Sequence, residues 1–229
     1  MKEIDHGVRW FNATYYRNNK VFSAVLYEEK ILPRLRENKV TLFTPWGPRY
    51  SFAERGTEID SQDKEVEVLK FLSKMIACLK AAMPEKEFSW IFLGADLYGT
   101  RINGLDLESV RNYFDWLQMW LSDLIPEATF KLWSEFDLEA EAYRQEVANN
   151  FAKYSNPKLL ERAERTAKGM GRGSSAREYL VERFAEALLI EERFRPIKVS
   201  CVNRGKDATV DLELPRLYFL PENLQAPWM

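Results

Sequence analysis

Two periods of apolar residues divide the chain. Short runs rich in β-branched and aromatic residues, Val40–Phe43, Phe88–Leu93, Thr129–Trp133 and Ile197–Val202, read as buried strands, and Thr209–Phe219 as one more. Between them lie longer segments with apolar residues every three or four positions. Asp63–Met83 carries Val66, Leu69, Leu72, Ile76 and Leu79 on one face and stops before Pro84. After Asp106, a helix N-cap residue, Val110, Tyr113, Phe114, Leu117, Leu121 and Leu124 form a second stripe. Glu139–Tyr154, Pro157–Lys168 and Ser175–Arg193 read as further helices, and Phe22–Glu37 as a helix interrupted by Pro33. GADLYGTRING after Leu93 reads as a loop, and Gly169, Gly171 and Gly173 as a break. Strands separated by helices of this length predict an α/β fold: a Rossmann-like, mostly parallel sheet with helices on both faces. Such sheets bind ligands beyond the carboxyl ends of their strands, so the loops after Phe43, Leu93 and Trp133 are the first places to look.

Length and composition narrow this. At 229 residues without repeats or low-complexity linkers, one domain over 1–229 is expected, with 1–20 an extended arm or edge strand. Net charge −2, 46% hydrophobic and 14% aromatic residues exclude a disordered chain and a wholly basic nucleic-acid coat. No apolar run approaches a membrane span, the N-terminus lacks a secretory core, and two cysteines make no disulfide framework, so a cytoplasmic protein without membrane contact is expected. The single histidine, His6, argues against a His-based triad and a histidine-rich zinc site. Chemistry here is expected to run on hydroxyls, carboxylates, Lys/Arg and backbone amides, with no metal and no cofactor.

Five segments offer such groups. In VTLFTPWGPRYSF, Thr44 ends a strand before a Pro/Gly turn, where a hydroxyl is either a covalent acceptor served by turn amides or a cap on a backbone group. Gly94–Glu108 has the outline of a nucleotidyltransferase signature. However, Asp106 and Glu108 lie on a helix, where residues two apart point about 200° from each other, so the pair does not converge. Asp96, just past the strand, is the better ligand contact. Glu135–Glu146 carries five acids and one base and reads as a solvated face, with Tyr143 packing. Lys158, Arg162, Arg165, Lys168, Arg172 and Arg177 form a basic tract suited to phosphates, or to solvent alone. Finally, Tyr179, Glu182 and Arg183 share a helix face, with Glu186 one turn on; a phenol beside a carboxylate shuttles protons and binds amino groups, or simply packs beside a surface ion pair.

In order, these segments resemble the tRNA-dependent cyclodipeptide synthases, whose Rossmann-like domain is similar to class I aminoacyl-tRNA synthetases. The resemblance runs over most of residues 40–190 through Thr44-Pro-Trp-Gly47-Pro-Arg-Tyr50-Ser51, FSWIFLGAD, Trp133-Ser134-Glu135 with Tyr143, and Tyr179-Leu-Val-Glu182-Arg183. It implies an aminoacyl transferase making a diketopiperazine from aminoacyl-tRNA. Thr44 would take the aminoacyl group, and Tyr179 would position the amino group. The resemblance leaves Glu182 or Glu186 as the acting carboxylate, because Arg183 stands at the family's glutamate and suits an acidic group. Gly47, in the place of an asparagine, with Arg49, Tyr50, Asp96 and Trp133, would contact substrate, and the basic tract would meet tRNA. The chain also resembles the isocyanide synthases, through its proline-rich loop, ESVRNYFDWL, PIKVS and Pro227-Trp228. That implies a free amino acid and a sugar phosphate as substrates, with Arg49 and Lys198 as phosphate or carboxylate ligands. A third expectation is a Rossmann-like binding protein without catalysis.

Overall fold

The computed structural model describes residues 27–48, 64–169, 175–200 and 216–218. Five strands, β1 (Lys39–Trp46), β2 (Glu87–Gly94), β3 (Ala128–Leu132), β4 (Ile197–Ser200) and β5 (Arg216–Tyr218), form one sheet in the order β3-β2-β1-β4-β5. Every pairing is parallel. The helices are α1 (Leu32–Leu35), α2 (Lys64–Ala82), α3 (Leu107–Leu124), α4 (Asp137–Asn149), α5 (Phe151–Tyr154), α6 (Pro157–Gly169) and α7 (Ala176–Phe194). The expected α/β architecture is therefore present, and the strand order reverses between β1 and β4, the switch point at which such sheets open a crevice.

Parity along the strands sorts the core into two faces. Val40, Leu42 and Trp46 of β1 lie with Phe88, Trp90 and Phe92 of β2, Ile197 and Val199 of β4, and the stripes of α2 and α3. Phe43, Ile91 and Leu93 point the other way, against Tyr98, Trp133, Phe136, Ala140, Leu189 and Ile190. A third cluster, Val147, Tyr154, Ala163, Leu180 and Phe184, joins α4, α5, α6 and α7 outside that second layer. Helices cover both faces, as such buried parallel strands require.

Element ends follow local chemistry. The Asp106 side chain accepts from Ser109 N at 2.9 Å and Ser175 from Glu178 N at 3.4 Å, each capping the helix that follows. Strand β1 runs past Pro45, where the sequence pattern stopped it at Phe43: proline removes one donor, but Trp46 O still accepts from Ala95 N at 2.8 Å. The expected loop after β2 is instead helical, a π-turn at Tyr98–Ile102 held partly by Thr100 Oγ1 donating to Asp96 O at 3.0 Å. Two glycines allow close approach here. A Cβ on Gly94 would lie 2.9 Å from ring atoms of Phe114 and Phe130, and one on Gly99 would lie 2.8 Å from Pro48 Cγ. Gly99 thus lets the loop after β1 pack directly on the turn after β2. No described helix is long and apolar enough to cross a membrane.

Candidate functional site

At the carboxyl end of β2 the chain turns through Asp96 into the π-turn, and at the end of β3 it enters a 3-10 turn at Trp133–Phe136. Asp96 Oδ1 accepts from Ser134 N at 3.0 Å, which ties the two strand ends together. Helix α7 lies across them. Its Tyr179 ring packs edge-on against Tyr98, centroids 6.0 Å apart at 73°, and the Arg183 guanidinium carbon sits 5.4 Å from the centre of the Tyr98 ring. Arg183 Nη1 donates to both oxygens of Glu186 at 3.0 Å, and Glu186 is buried. Of Tyr179, Glu182 and Arg183, expected on one face, Tyr179 and Arg183 meet at the Tyr98 ring, and Glu186, one turn on, is held by Arg183. Tyr98 joins them. Its hydroxyl is buried with no hydrogen-bond partner, and burial first, then the Glu186 charge, holds it well above the usual phenol range against the opposing pull of Arg183.

Glu182 points into a different set of partners. Arg144 grips it with two parallel bonds, Nε to Oε2 at 2.7 Å and Nη2 to Oε1 at 2.8 Å, and the Trp133 indole N–H also donates to Oε1. Arg144 further pairs with Asp137 at 2.7 Å. Desolvation works to lower the pKa of Arg144, but the bonds and charges of Glu182 and Asp137 outweigh it and raise it. The expected acid–base carboxylate is thus an anchor between α4 and α7, with every oxygen engaged. Trp133, expected at the substrate, is fully buried with its polar edge committed to that anchor.

Thr44 lies elsewhere. Its position on β1 places it on the face of Leu42 and Trp46, paired in register with Phe92, whereas Tyr179 packs on the cluster containing Phe43. The hydroxyl is completely buried, accepts from Trp90 Nε1 at 2.9 Å and donates to Val199 O at 3.3 Å. The covalent acceptor that the resemblance implies is therefore not presented to Tyr179: the two groups sit on opposite faces of the sheet, and the threonine is joined to neighbouring strands. Gly47 is half-buried at the start of the β1 loop, while Arg49 and Tyr50 lie outside the described residues.

The acidic run from Glu135 is the solvated face its composition suggested, with Glu135, Glu139, Glu141 and Glu146 exposed, and its carboxylates are paired as well. Asp137 pairs with Arg101 at 2.6 Å, Glu139 with Arg193 at 2.5 Å, Glu141 with Arg144 at 3.3 Å and Glu135 with Lys131 at 2.8 Å. Glu146 accepts from the Tyr154 hydroxyl at 2.6 Å, and Tyr143 does more than pack: it donates to Glu192 at 2.7 Å. Of the basic tract, Lys158 is exposed on α6, where the positions of Arg162 and Arg165 share its side of the helix, opposite the packed Leu159, Leu160 and Ala163. Lys168 lies on the same helix. Arg172 falls outside the described residues. Arg177, expected at phosphates, donates to Ala148 O at 3.0 Å and stacks 4.2 Å from the centre of the Phe151 ring.

Sequence reasoning missed Tyr98 and Arg144. The first was visible as the aromatic residue just beyond a strand's carboxyl end, and the second as the lone base in an acidic run.

No family model matches the chain, and no curated protein matches its sequence. Solved structures do match its fold. Tyrosyl-tRNA synthetase from Archaeoglobus fulgidus, solved with L-tyrosine, is similar at a TM-score of 0.59 and 16% identity over 95% of this chain. The chain spans 63% of that synthetase. The PvcA protein from Pseudomonas aeruginosa is similar at a TM-score of 0.53 and 14% identity, over 99% of this chain and 86% of that one. A Mycobacterium tuberculosis structure that relates cyclodipeptide synthetases to type I tRNA synthetases aligns at a TM-score of 0.42 and 14% identity, over 78% of this chain and 84% of that one. The fold is α/β and similar to the Rossmann-like fold of class I tRNA synthetases.

Proposed function

We propose that the chain is an enzyme that joins aminoacyl groups delivered by tRNA into a cyclic dipeptide, working over the carboxyl ends of β1 and β2 on the α7 side. The observation that carries this is the patch of Tyr98, Tyr179, Arg183 and Glu186, two phenols beside a buried carboxylate at the end of a parallel strand. A substrate ammonium brings donors and no acceptors, and phenolic and carboxylate oxygens are what it needs. The basic positions on one side of α6 suit tRNA phosphates, a contact that salt would weaken steeply. In this reading Thr44 is a structural hydroxyl, and the chemistry does without a covalent acceptor there. The amine of one aminoacyl ester attacks the carbonyl carbon of the other, forming a peptide bond while the ribose oxygen leaves and takes up a proton. The free amine of the resulting dipeptide then attacks its own ester, closing the ring and releasing the second tRNA. Glu186 and the phenols orient the amine; Arg183 fixes Glu186.

A second reading, an isocyanide synthase-like enzyme acting on a free amino acid and a sugar phosphate, is favoured by Lys198. That buried cation pairs in register with Phe43, on the Tyr179 side of the sheet. Incubating the protein with a charged tRNA pool, and separately with free amino acids and a pentose phosphate, distinguishes the two by mass spectrometry. A diketopiperazine that requires charged tRNA is the expected product. Turnover without tRNA transfers the assignment to the second reading, and no product in either mixture, with tight ligand binding, reduces the protein to a binding module.

A further inference from the structure

We infer that the Tyr98 hydroxyl is a ligand-binding group that holds an amino-acid ester by its ammonium and its adjacent carbonyl; this deepens the amino-acid reading above and rests on it. The residue is 4% exposed, yet its phenolic oxygen is buried without a partner. Buried hydroxyls nearly always have one, and leaving one unpaired destabilises the free protein. Phenylalanine would keep the ring's contacts and remove that cost. The ring is also not slack: Tyr179 meets it edge-on and Arg183 covers it, so the oxygen's direction is set before any ligand arrives. It stands on a π-turn, a geometry concentrated at functional sites, and Gly99 allows the β1 loop to close against that turn.

The surroundings point to the ligand's chemistry. Arg183 reaches Glu186 through a single nitrogen, Nη1, shared by both oxygens, which leaves lone pairs on the carboxylate. Burial keeps the phenol protonated. Such a group accepts through its oxygen and donates through its hydrogen, so it needs a donor and an acceptor side by side. An amino-acid ester presents both, the ammonium and the ester carbonyl, on neighbouring atoms. A neutral N-acylated ester lacks the first.

The test is Tyr98→Phe in the full chain, read by thermal melting without ligand and by calorimetric titration with the methyl esters of L-tyrosine, L-phenylalanine and L-leucine. The corresponding N-acetyl methyl esters are the controls. The variant is expected to melt about 2–10 °C higher than wild type, as removal of an unpaired buried hydroxyl should produce. It is also expected to bind the free-amine esters about tenfold more weakly or worse, while the N-acetyl esters bind both proteins poorly. A variant that melts lower than wild type already had a partner for its hydroxyl, and one with unchanged ester affinity does not use it; either result overturns the inference. If wild type binds no ester while Tyr98→Phe is stabilised, the amino-acid reading fails, but the hydroxyl stands as a group kept for a ligand of other chemistry.

Discussion

Arg144→Ala is expected to lower the melting temperature by roughly 6–20 °C, the shift that about 3–5 kcal/mol produces in a domain of this size. The guanidinium and the Glu182 carboxylate are both largely buried, with 14% and 13% of their side chains exposed, and they meet through two parallel bonds. Removing the cation strands a buried carboxylate with only the Trp133 indole N–H to support it. The damage should be worse than losing the pair together. Combining Arg144→Met with Glu182→Gln keeps an oxygen for Trp133 and removes the charge, so the double variant should recover more than half of the lost stability. A single variant melting within 2 °C of wild type would show that α4 and α7 are held together by other means.

Thr44→Val should be destabilising by about 1–3 kcal/mol, seen as a melting temperature lower by about 2–12 °C, although valine has nearly the same shape. The cause is Trp90, whose indole N–H donates to the Thr44 hydroxyl in a fully buried setting and would be left unsatisfied. Thr44→Ser keeps both hydrogen bonds and loses one methyl, so its cost should be close to 1 kcal/mol. Equal melting of the valine variant and wild type would mean that the hydroxyl does not serve the sheet.

The strands and long helices were legible in the sequence because their apolar spacing is local. So were the caps at Asp106 and Ser175. The face on which each side chain lies was half legible. Val40, Leu42, Thr44 and Trp46 alternate with Thr41 and Phe43, so Thr44 had to share a face with leucine and tryptophan. Which face meets α7 depends on packing between segments more than a hundred residues apart, and no local pattern carries that. The same holds for Glu182. Its spacing from Tyr179 puts the two on one side of a helix, but its choice of Arg144 over a substrate is a tertiary event, 38 residues away along the chain. The π-turn at Tyr98 was hidden by glycines that read as a loop, although they serve close packing.

Amino-acid chemistry is expected on the Tyr98–Tyr179–Glu186 side of the sheet, with Thr44 a structural hydroxyl on the other. Product formation from charged tRNA, quantified by mass spectrometry well below each variant's melting temperature, compares Glu186→Gln with Thr44→Val directly. Glu186→Gln is expected to lose roughly a hundredfold in rate, since an oriented carboxylate is worth that much in acid–base and positioning steps, while Thr44→Val should stay within about threefold of wild type. An inert Thr44→Val beside an active Glu186→Gln would contradict it.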